Sequence, residues 1–476
     1  MAPFNYIKED CVEIYKGTNL KKNRNEKVLV FDLDETFPII EHCDKVHYVD
    51  FTSLYPDTNK NGIYPVGHPE IFTNIDGTDI DMYQGLIKCK VLPPQNLFHP
   101  VLPMHRDEKL VFSLCYTCDK YQIDNCNHSI EERSIIGTWT HLELQEALNN
   151  GYEILKIFEV HHFSEFSSDI YKSYVNTWLK NKQESSGFPD GIETDEQKQD
   201  YIQKYYEHED IMLDIANILH NPGRRSTSKL LLNSLWGRLA MRNNHNQDVC
   251  ISDPTEYYKL LTDDTIEVIN CNIQTLIKDG ESGLIHVVYK QKIDFIKVSP
   301  STNIYHGVFT TSQARLKLFK LLNGLGESVK YFDTDSVIFL QKAGEPYPEC
   351  AKLGNYLGEL TSELAPDDYI THFVATAPKE YAYITKNDEK STKIKGFSLN
   401  YESGLVIKHE TMLDIVDSGR DDKELSLEIP TMMFDKNKKN QTITTNNTTK
   451  KYTFSYNSRK IDWTTYKTYP FGFRNT

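Results

Sequence analysis

The chain has 476 residues, of which 39% are hydrophobic and 25% charged, a globular composition with material for two or three domains. A formal net charge of −15 excludes a surface that is basic throughout, but a cleft can be locally basic under an acidic exterior. Nine scattered cysteines, no apolar core in residues 1–21 and no run of ~18 apolar residues predict an intracellular, reducing setting with neither a secretory signal nor a membrane span.

In chain order, residues 27–31 (KVLVF) and 46–51 (VHYVDF) read as strands, followed by Pro-broken extended pieces over 86–114. Residues 139–150 predict a short helix stopped by Gly151, and 152–162 a strand. Residues 165–245 are helical in pattern, interrupted at 187–191 (GFPDG) and again at 221–223 (NPG). Strand-rich sequence returns over 250–310. A helix over 311–325, a strand pair over 328–341 and a helix over 351–365 follow. Acid concentrates in 359–368 and 410–428, whereas Lys436, Lys438, Lys439, Lys450, Lys451, Arg459 and Lys460 make a basic stretch. The Asn/Thr-rich residues 436–451 read as a mobile loop.

Residues 328–340 (VKYFDTDSVIFLQ) set two acids between apolar runs. On an extended backbone Asp333 and Asp335 share a face, and burying both is costly without a cation such as Mg²⁺. Alone, such a D-x-D is usually a solvated turn. Asp50 closes a strand before a Ser-Leu-Tyr-Pro turn whose free amides suit phosphate oxygens. Arg225, Lys229, Asn233 and Trp236 fall on one helical stripe, which supplies cations for a triphosphate and a ring for a base, or else an ordinary surface helix. Cys115, Cys118, Cys126 and His128 have the spacing of a structural Zn²⁺ site, with free thiols in a loop-rich insertion as the other reading.

Residues 50–56 (DFTSLYP), 229–237 (KLLLNSLWG) and 331–336 (YFDTDS) resemble, in this order, motifs A, B and C of family B DNA polymerases: D-x-x-S-L-Y-P, K-x-x-x-N-S-x-Y-G and Y-x-D-T-D-S. Trp236 stands where the family usually has Tyr. Residues 311–315 (TSQAR) are similar to the T-x-x-A/G-R motif at the primer–template, 379–381 (KEY) to K-x-Y near the primer end, and 393–396 (KIKG) to a basic stretch at the palm–thumb junction. The spaced D-T-D differs from the adjacent acids of reverse transcriptases. Residues 48–55, 64–69, 85–93 and 137–139 resemble protein-primed polymerases of Polinton (Maverick) transposons and related virus-like elements.

The resemblance implies an α+β right-hand polymerase fold with an antiparallel-sheet palm, helical fingers and a thumb. Its expected divisions are a remnant of the exonuclease–palm linker over 1–45, palm over 46–164 with the Cys-rich insertion, fingers over 165–249, palm with an insertion over 250–385, and thumb over 386–476. The acids after strand 27–31, Asp32 and Asp34, resemble a phosphatase nucleophile motif or an exonuclease D-x-E. Either domain needs on the order of 100–200 residues of its own, so a linker remnant fits the space better and implies an absent proofreading exonuclease. The implied activity is template-directed addition of dNTPs to a primer 3′-hydroxyl, in replication of a mobile or virus-like element. A catalytically weak remnant that binds primer–template DNA and nucleotide is the alternative. Asp50, Asp333 and Asp335 are expected to hold two Mg²⁺. Ser53, Leu54, Tyr55, Arg225, Lys229, Asn233 and Trp236 are expected around the nucleotide, with Tyr55 excluding a 2′-hydroxyl. Thr311, Arg315, Lys379, Tyr381, Lys393 and Lys395 are expected along the duplex. Primer–template DNA, dNTPs and a terminal priming protein are the implied partners.

Overall fold

The computed structural model describes residues 6–7 and 44–474, except 74, 108, 275–283, 298, 398, 422–424 and 438–441. The expected 27–31 strand, Asp32 and Asp34 lie outside the described residues.

The central sheet draws on both halves of the chain. In chain order its main strands are β1 (Lys45–Phe51), then, after the strands of other sheets, β5 (Val329–Asp333), β6 (Ser336–Gln341), β7 (Ile370–Ala377), β8 (Glu380–Thr385) and β9 (Lys390–Lys393), paired β5–β6–β1–β7–β8–β9, all antiparallel. The short strands Leu360–Ser362 and Tyr6–Ile7 join β1 and β7. Alternation along β1 sends Val46 and Tyr48 to one face and Val49 and Phe51 to the other. On the Val49 face lies α6 (Ile304–Leu325), which buries Ala314, Leu318, Leu321, Leu322 and Leu325 against Val329, Phe332, Val337 and Phe339. Each such Leu or Phe stabilises the packing by roughly 1.5–3 kcal/mol. The Tyr48 face carries Tyr331, Phe373 and Tyr381. Asp50 has the same parity as Tyr48 and so belongs to the face opposite α6.

Beside this sheet stands a second antiparallel one, with β2 (Gly85–Leu92) between β3 (Ile135–Thr140) and β4 (Glu153–His162) and Glu70–Thr73 at the edge. Helix α2 (His141–Asn149) begins at Thr140, whose hydroxyl caps the Glu143 amide in a capping box, so Trp139 stays in the strand. A helical layer follows: α3 (Lys172–Glu184), α4 (Asp195–Glu209) and α5 (Pro222–Leu239). The Asn221-Pro222 pair starts α5 rather than breaking a helix: Asn221 accepts from the Arg224 amide and Pro222 needs no donor at the first helical position. A buried ion pair joins this layer to α1 (Leu54–Asn61). Lys60 Nζ donates to Glu209 Oε2 at 2.8 Å and to the Glu209 carbonyl at 2.6 Å. A separate three-stranded sheet with helix Pro254–Leu261 occupies the strand-rich region before α6.

Two expected elements are corrected. Residues 351–365 form no helix: a single 3₁₀ turn at Glu349–Ala351 gives way to irregular chain and the strand Leu360–Ser362. Gly358 has φ +75° and lies where a Cβ would strike the Asp57 carboxylate and Lys317 Nζ, a geometry a helix does not provide. Residues 442–451 are not loop but part of β11 (Thr442–Thr453), paired along its length with β10 (Ser426–Asn437). Threonine is β-branched and favours strand, which outweighs its polarity. Among the described residues no helix is long and apolar enough to cross a membrane.

Candidate active site

Asp50, next to last in β1, lies between Ser336 of β6 on one side and Thr361 on the other. Asp333 ends β5 and pairs with Ser336, so Thr334 and Asp335 make a two-residue turn. Asp333 and Asp335 therefore do not share one face of an extended strand, as the alternation argument predicted; the chain reverses between them and both acids sit at a hairpin tip. The Thr334 amide donates to Asp333 Oδ1 at 2.8 Å. The Phe51 amide donates to the Asp335 carbonyl at 2.7 Å, which pins this tip to the end of β1. Adjacent strands thus gather three carboxylates from segments far apart in the sequence.

Their electrostatics differ. Burial, then the negative charges of Asp335 and Glu363, push Asp50 up to about 7 against the pull of Lys229 and Lys393. Burial and the Asp333 charge raise Asp335, with Lys379 opposing. Burial also works against ionised Asp333, but the hydrogen bond from Lys379 and those from Thr334 outweigh it and hold this acid below the usual range. Lys379 has φ +65°; its amide donates to Tyr331 Oη at 2.9 Å and its Nζ to Asp333 Oδ2 at 2.6 Å. The residue expected along the primer is thus bound to a site carboxylate. Glu363, whose amide donates to the Tyr48 carbonyl at 2.9 Å, was not foreseen as part of the acidic group.

Around the acids stand the nucleotide candidates. Ser53 adopts φ +55° at the start of α1 and gives no side-chain cap, so the first-turn amides lack an intrahelical acceptor. Leu54 can offer only its backbone, since its side chain is in the core. Tyr55 stacks on Trp236 with centroids 4.6 Å apart and an interplanar angle of 23°, so the two rings expected to flank a nucleotide lie against each other. Lys229 and Asn233 are on the exposed side of α5. Arg225 Nε donates to Ser186 Oγ at 3.1 Å. Lys182 of α3, another residue the sequence did not single out, donates to Ser53 Oγ at 3.4 Å; burial and then the charges of Arg225 and Lys229 lower its pKa. Lys182 thus reaches the start of α1 within the field of Arg225 and Lys229.

The duplex candidates are divided. Arg315 donates through Nε and Nη2 to Glu143 Oε1, at 3.1 and 2.6 Å, and is engaged with α2. Thr311 Oγ1 turns back to helix carbonyls. Tyr381 is only 4% exposed, and its hydroxyl shares a 3.0 Å hydrogen bond with that of Tyr48, so its ring packs in the core. Lys393 and Lys395 are exposed, with Lys393 Nζ over the Tyr48 and Tyr381 rings. Beside Asp333 lies a cavity of about 410 Å³, walled by α6 (Thr311, Arg315), Tyr55 and Lys379, and closed by Ser458 and Arg459 from far along the chain.

Among the described residues, the one group of three or more His, Cys, Asp or Glu gathered closely enough to hold a metal ion is Cys115, Cys118, Cys126 and His128, with ligand atoms within 4.8 Å of one another. The three aspartates are not among such groups, and Asp333 is drawn to Lys379.

The family model of DNA polymerase type B, organellar and viral, matches residues 38–198 and 192–323. Among solved structures, the orthorhombic crystal form of phi29 DNA polymerase is similar, with a TM-score of 0.51 and 14% identity over 87% of this chain. Its ternary complex with primer-template DNA and incoming nucleotide substrates has a TM-score of 0.49, also at 14% identity and 87% of this chain. In both cases the chain spans 59% of the length of the polymerase it matches. No curated protein matches. At this identity the first likeness establishes a shared right-hand polymerase fold.

Proposed function

Since the chain belongs to the type B DNA polymerases of the organellar and viral kind, we propose that it is a template-directed DNA polymerase that extends a primer 3′-hydroxyl with dNTPs. The observation that carries this reading is the meeting of Asp50 with the Asp333–Asp335 hairpin tip on neighbouring strands. In this reading the central sheet, β9 included, is the palm, α3 to α5 are fingers, and the residues after β9 are thumb. The setting in replication of a mobile or virus-like element, and a terminal priming protein as partner, rest on likeness of sequence alone.

The donor set fits hard divalent cations. Three carboxylate side chains offer only oxygen, and the elevation of Asp50 reflects burial and mutual repulsion that bound cations would relieve. Asp50, Asp333 and Asp335 would hold two Mg²⁺, which when bound supply charge neutralisation and a more acidic primer hydroxyl. For Asp333 Oδ2 to become a ligand, Lys379 must release it. The displaced ammonium would then be available to a phosphate of the primer. Lys182, Arg225 and Lys229 would neutralise the triphosphate, assisted by the open amides at Ser53, Leu54 and Tyr55. The Tyr55–Trp236 stack would part to admit the sugar and base, with Asn233 on the same stripe. The reaction needs little more than positioning and charge.

Primer extension with Mg²⁺ and dNTPs is the test. Wild-type protein should extend a primer, and Asp333→Asn should lose about a hundredfold or more of the rate while still binding primer–template DNA. Extension by Asp333→Asn at the wild-type rate would dismiss the site. Binding without extension in the wild type would favour the DNA-binding remnant, for which the closed Tyr55–Trp236 stack is the supporting observation.

A further inference from the structure

We propose that Cys115, Cys118, Cys126 and His128 hold a structural Zn²⁺, and that this zinc knuckle is the anchor that clasps the distant segment 457–474 across the insertion. The metal site rests on geometry. His128 Nδ1 lies 3.5 Å from Cys115 Sγ, 3.3 Å from Cys118 Sγ and 3.8 Å from Cys126 Sγ. A tetrahedral zinc with ordinary Zn–S and Zn–N lengths separates sulfur from nitrogen by about 3.6 Å. All three cysteines are buried and unpaired in disulfides. Two of the sulfurs also accept hydrogen bonds: the Cys118 amide donates to Cys115 Sγ at 3.4 Å, and Gln95 Nε2 to Cys126 Sγ at 3.6 Å. Binding would release the thiol protons to solvent, leaving a neutral imidazole as the fourth ligand.

The clasp rests on separate contacts. Phe471 is 4% exposed and packs in one cluster with the three cysteines. The Leu114 amide donates to the Phe471 carbonyl at 2.8 Å, and the Arg474 amide to the Gln95 carbonyl at 2.7 Å. Arg474 Nε donates to the Cys126 carbonyl at 2.8 Å, and Lys460 Nζ to the Asp124 carbonyl at 3.1 Å. Gly472 has φ +91° and passes so close that a Cβ would come within 2.6 Å of Cys115 Cβ. The loop that receives these bonds is short and has little core of its own beyond Ile123 and the cysteines, so a metal is what would fix its carbonyls in place. Because Ser458 and Arg459 wall the cavity beside Asp333, the zinc would control the shape of that cavity from outside it.

The test measures metal and backbone protection on the full chain, and neither readout depends on polymerase activity. The protein purified without chelator should carry about one zinc per chain, and cobalt replacement should give the sulfur-to-cobalt charge-transfer and tetrahedral ligand-field bands of a Cys₃His site. Cys118→Ser should lose the metal, whereas Cys250→Ser, at an exposed cysteine elsewhere, should keep it. Chelating the wild-type protein should raise amide exchange about tenfold or more across 457–474 and at Leu114, while exchange in 329–341 stays unchanged. This comparison holds even if Cys118→Ser fails to fold. Absence of zinc and of the cobalt bands, or a native disulfide between any two of the three cysteines, overturns the metal site. Zinc with unaltered exchange in 457–474 after its removal overturns the clasp. Loss of primer extension in a protein that keeps zinc and protection would instead count against the polymerase reading alone.

Discussion

Tyr381 is a motif residue whose side chain packs in the core. Its ring is enclosed by Tyr48, Tyr331 and Tyr383, and its hydroxyl is paired with Tyr48 beneath the strand that carries Asp50. Tyr381→Phe should cost about 1 kcal/mol of stability, the net value of a hydrogen bond, and Tyr381→Ala about 3–5 kcal/mol through the cavity it leaves. Urea unfolding of the two variants checks this. Unchanged stability with weakened primer binding would mean that the side chain reaches DNA after all. The three aspartates were legible in the sequence because each sits in a short pattern of fixed spacing. Glu363 and Lys182 were not, because nothing local marks them: Glu363 gains its influence from strand pairing beside β1, and Lys182 from helix packing against Ser53.

Elements were legible where local chemistry and tertiary demand agree. The helices expected over 139–150 and 311–325 form as α2, capped by Thr140 with Glu143, and as the later turns of α6. The reading failed at 351–365, where Gly354 and Gly358 serve close approach, and at 442–451, where composition concealed strand propensity. What joins the elements is less visible still. Lys60 and Glu209 would pass for solvated charges on two helices, yet both side chains are 5% exposed and paired. Lys60→Met should strand the Glu209 carboxylate and cost about 3–5 kcal/mol. Adding Glu209→Gln should recover most of that, because it removes the charge while keeping an acceptor for the Leu357 amide, which bonds Glu209 Oε1 at 2.7 Å. Melting temperatures of the single and double variants measure the difference. A double variant no more stable than Lys60→Met would mean that the ion pair is not what joins α1 to the helical layer.

At the scale of the whole molecule, the sequence predicted that remote segments must meet but not where they lock. One such lock is His99, 4% exposed, from the insertion. Its Nε2 donates to the Gly326 carbonyl at 3.0 Å just past α6, its ring lies edge-on to Phe332 of β5, and Arg459 of the clasped segment is close. Nδ1 is buried without a hydrogen-bond partner, so protonation there gains nothing from the protein. Burial, then the Arg459 charge, lowers its pKa to about 3. The unfolded chain, with a histidine pKa near ~6.5, therefore binds the proton that the folded chain refuses between those two values. The stability that neutral His99 contributes is complete above about pH 6.5 and declines as pH falls toward 3, by at most about 1.4 kcal/mol per pH unit. His99→Gln keeps an amide donor for Gly326 and removes this ionisation. Its melting temperature should fall less than that of the wild type between pH 7 and pH 5, since carboxylate titration is common to both. Equal acid slopes would mean that the three segments meeting at His99 separate before its proton can matter, and that the docking of 457–474 is weaker than its contacts imply.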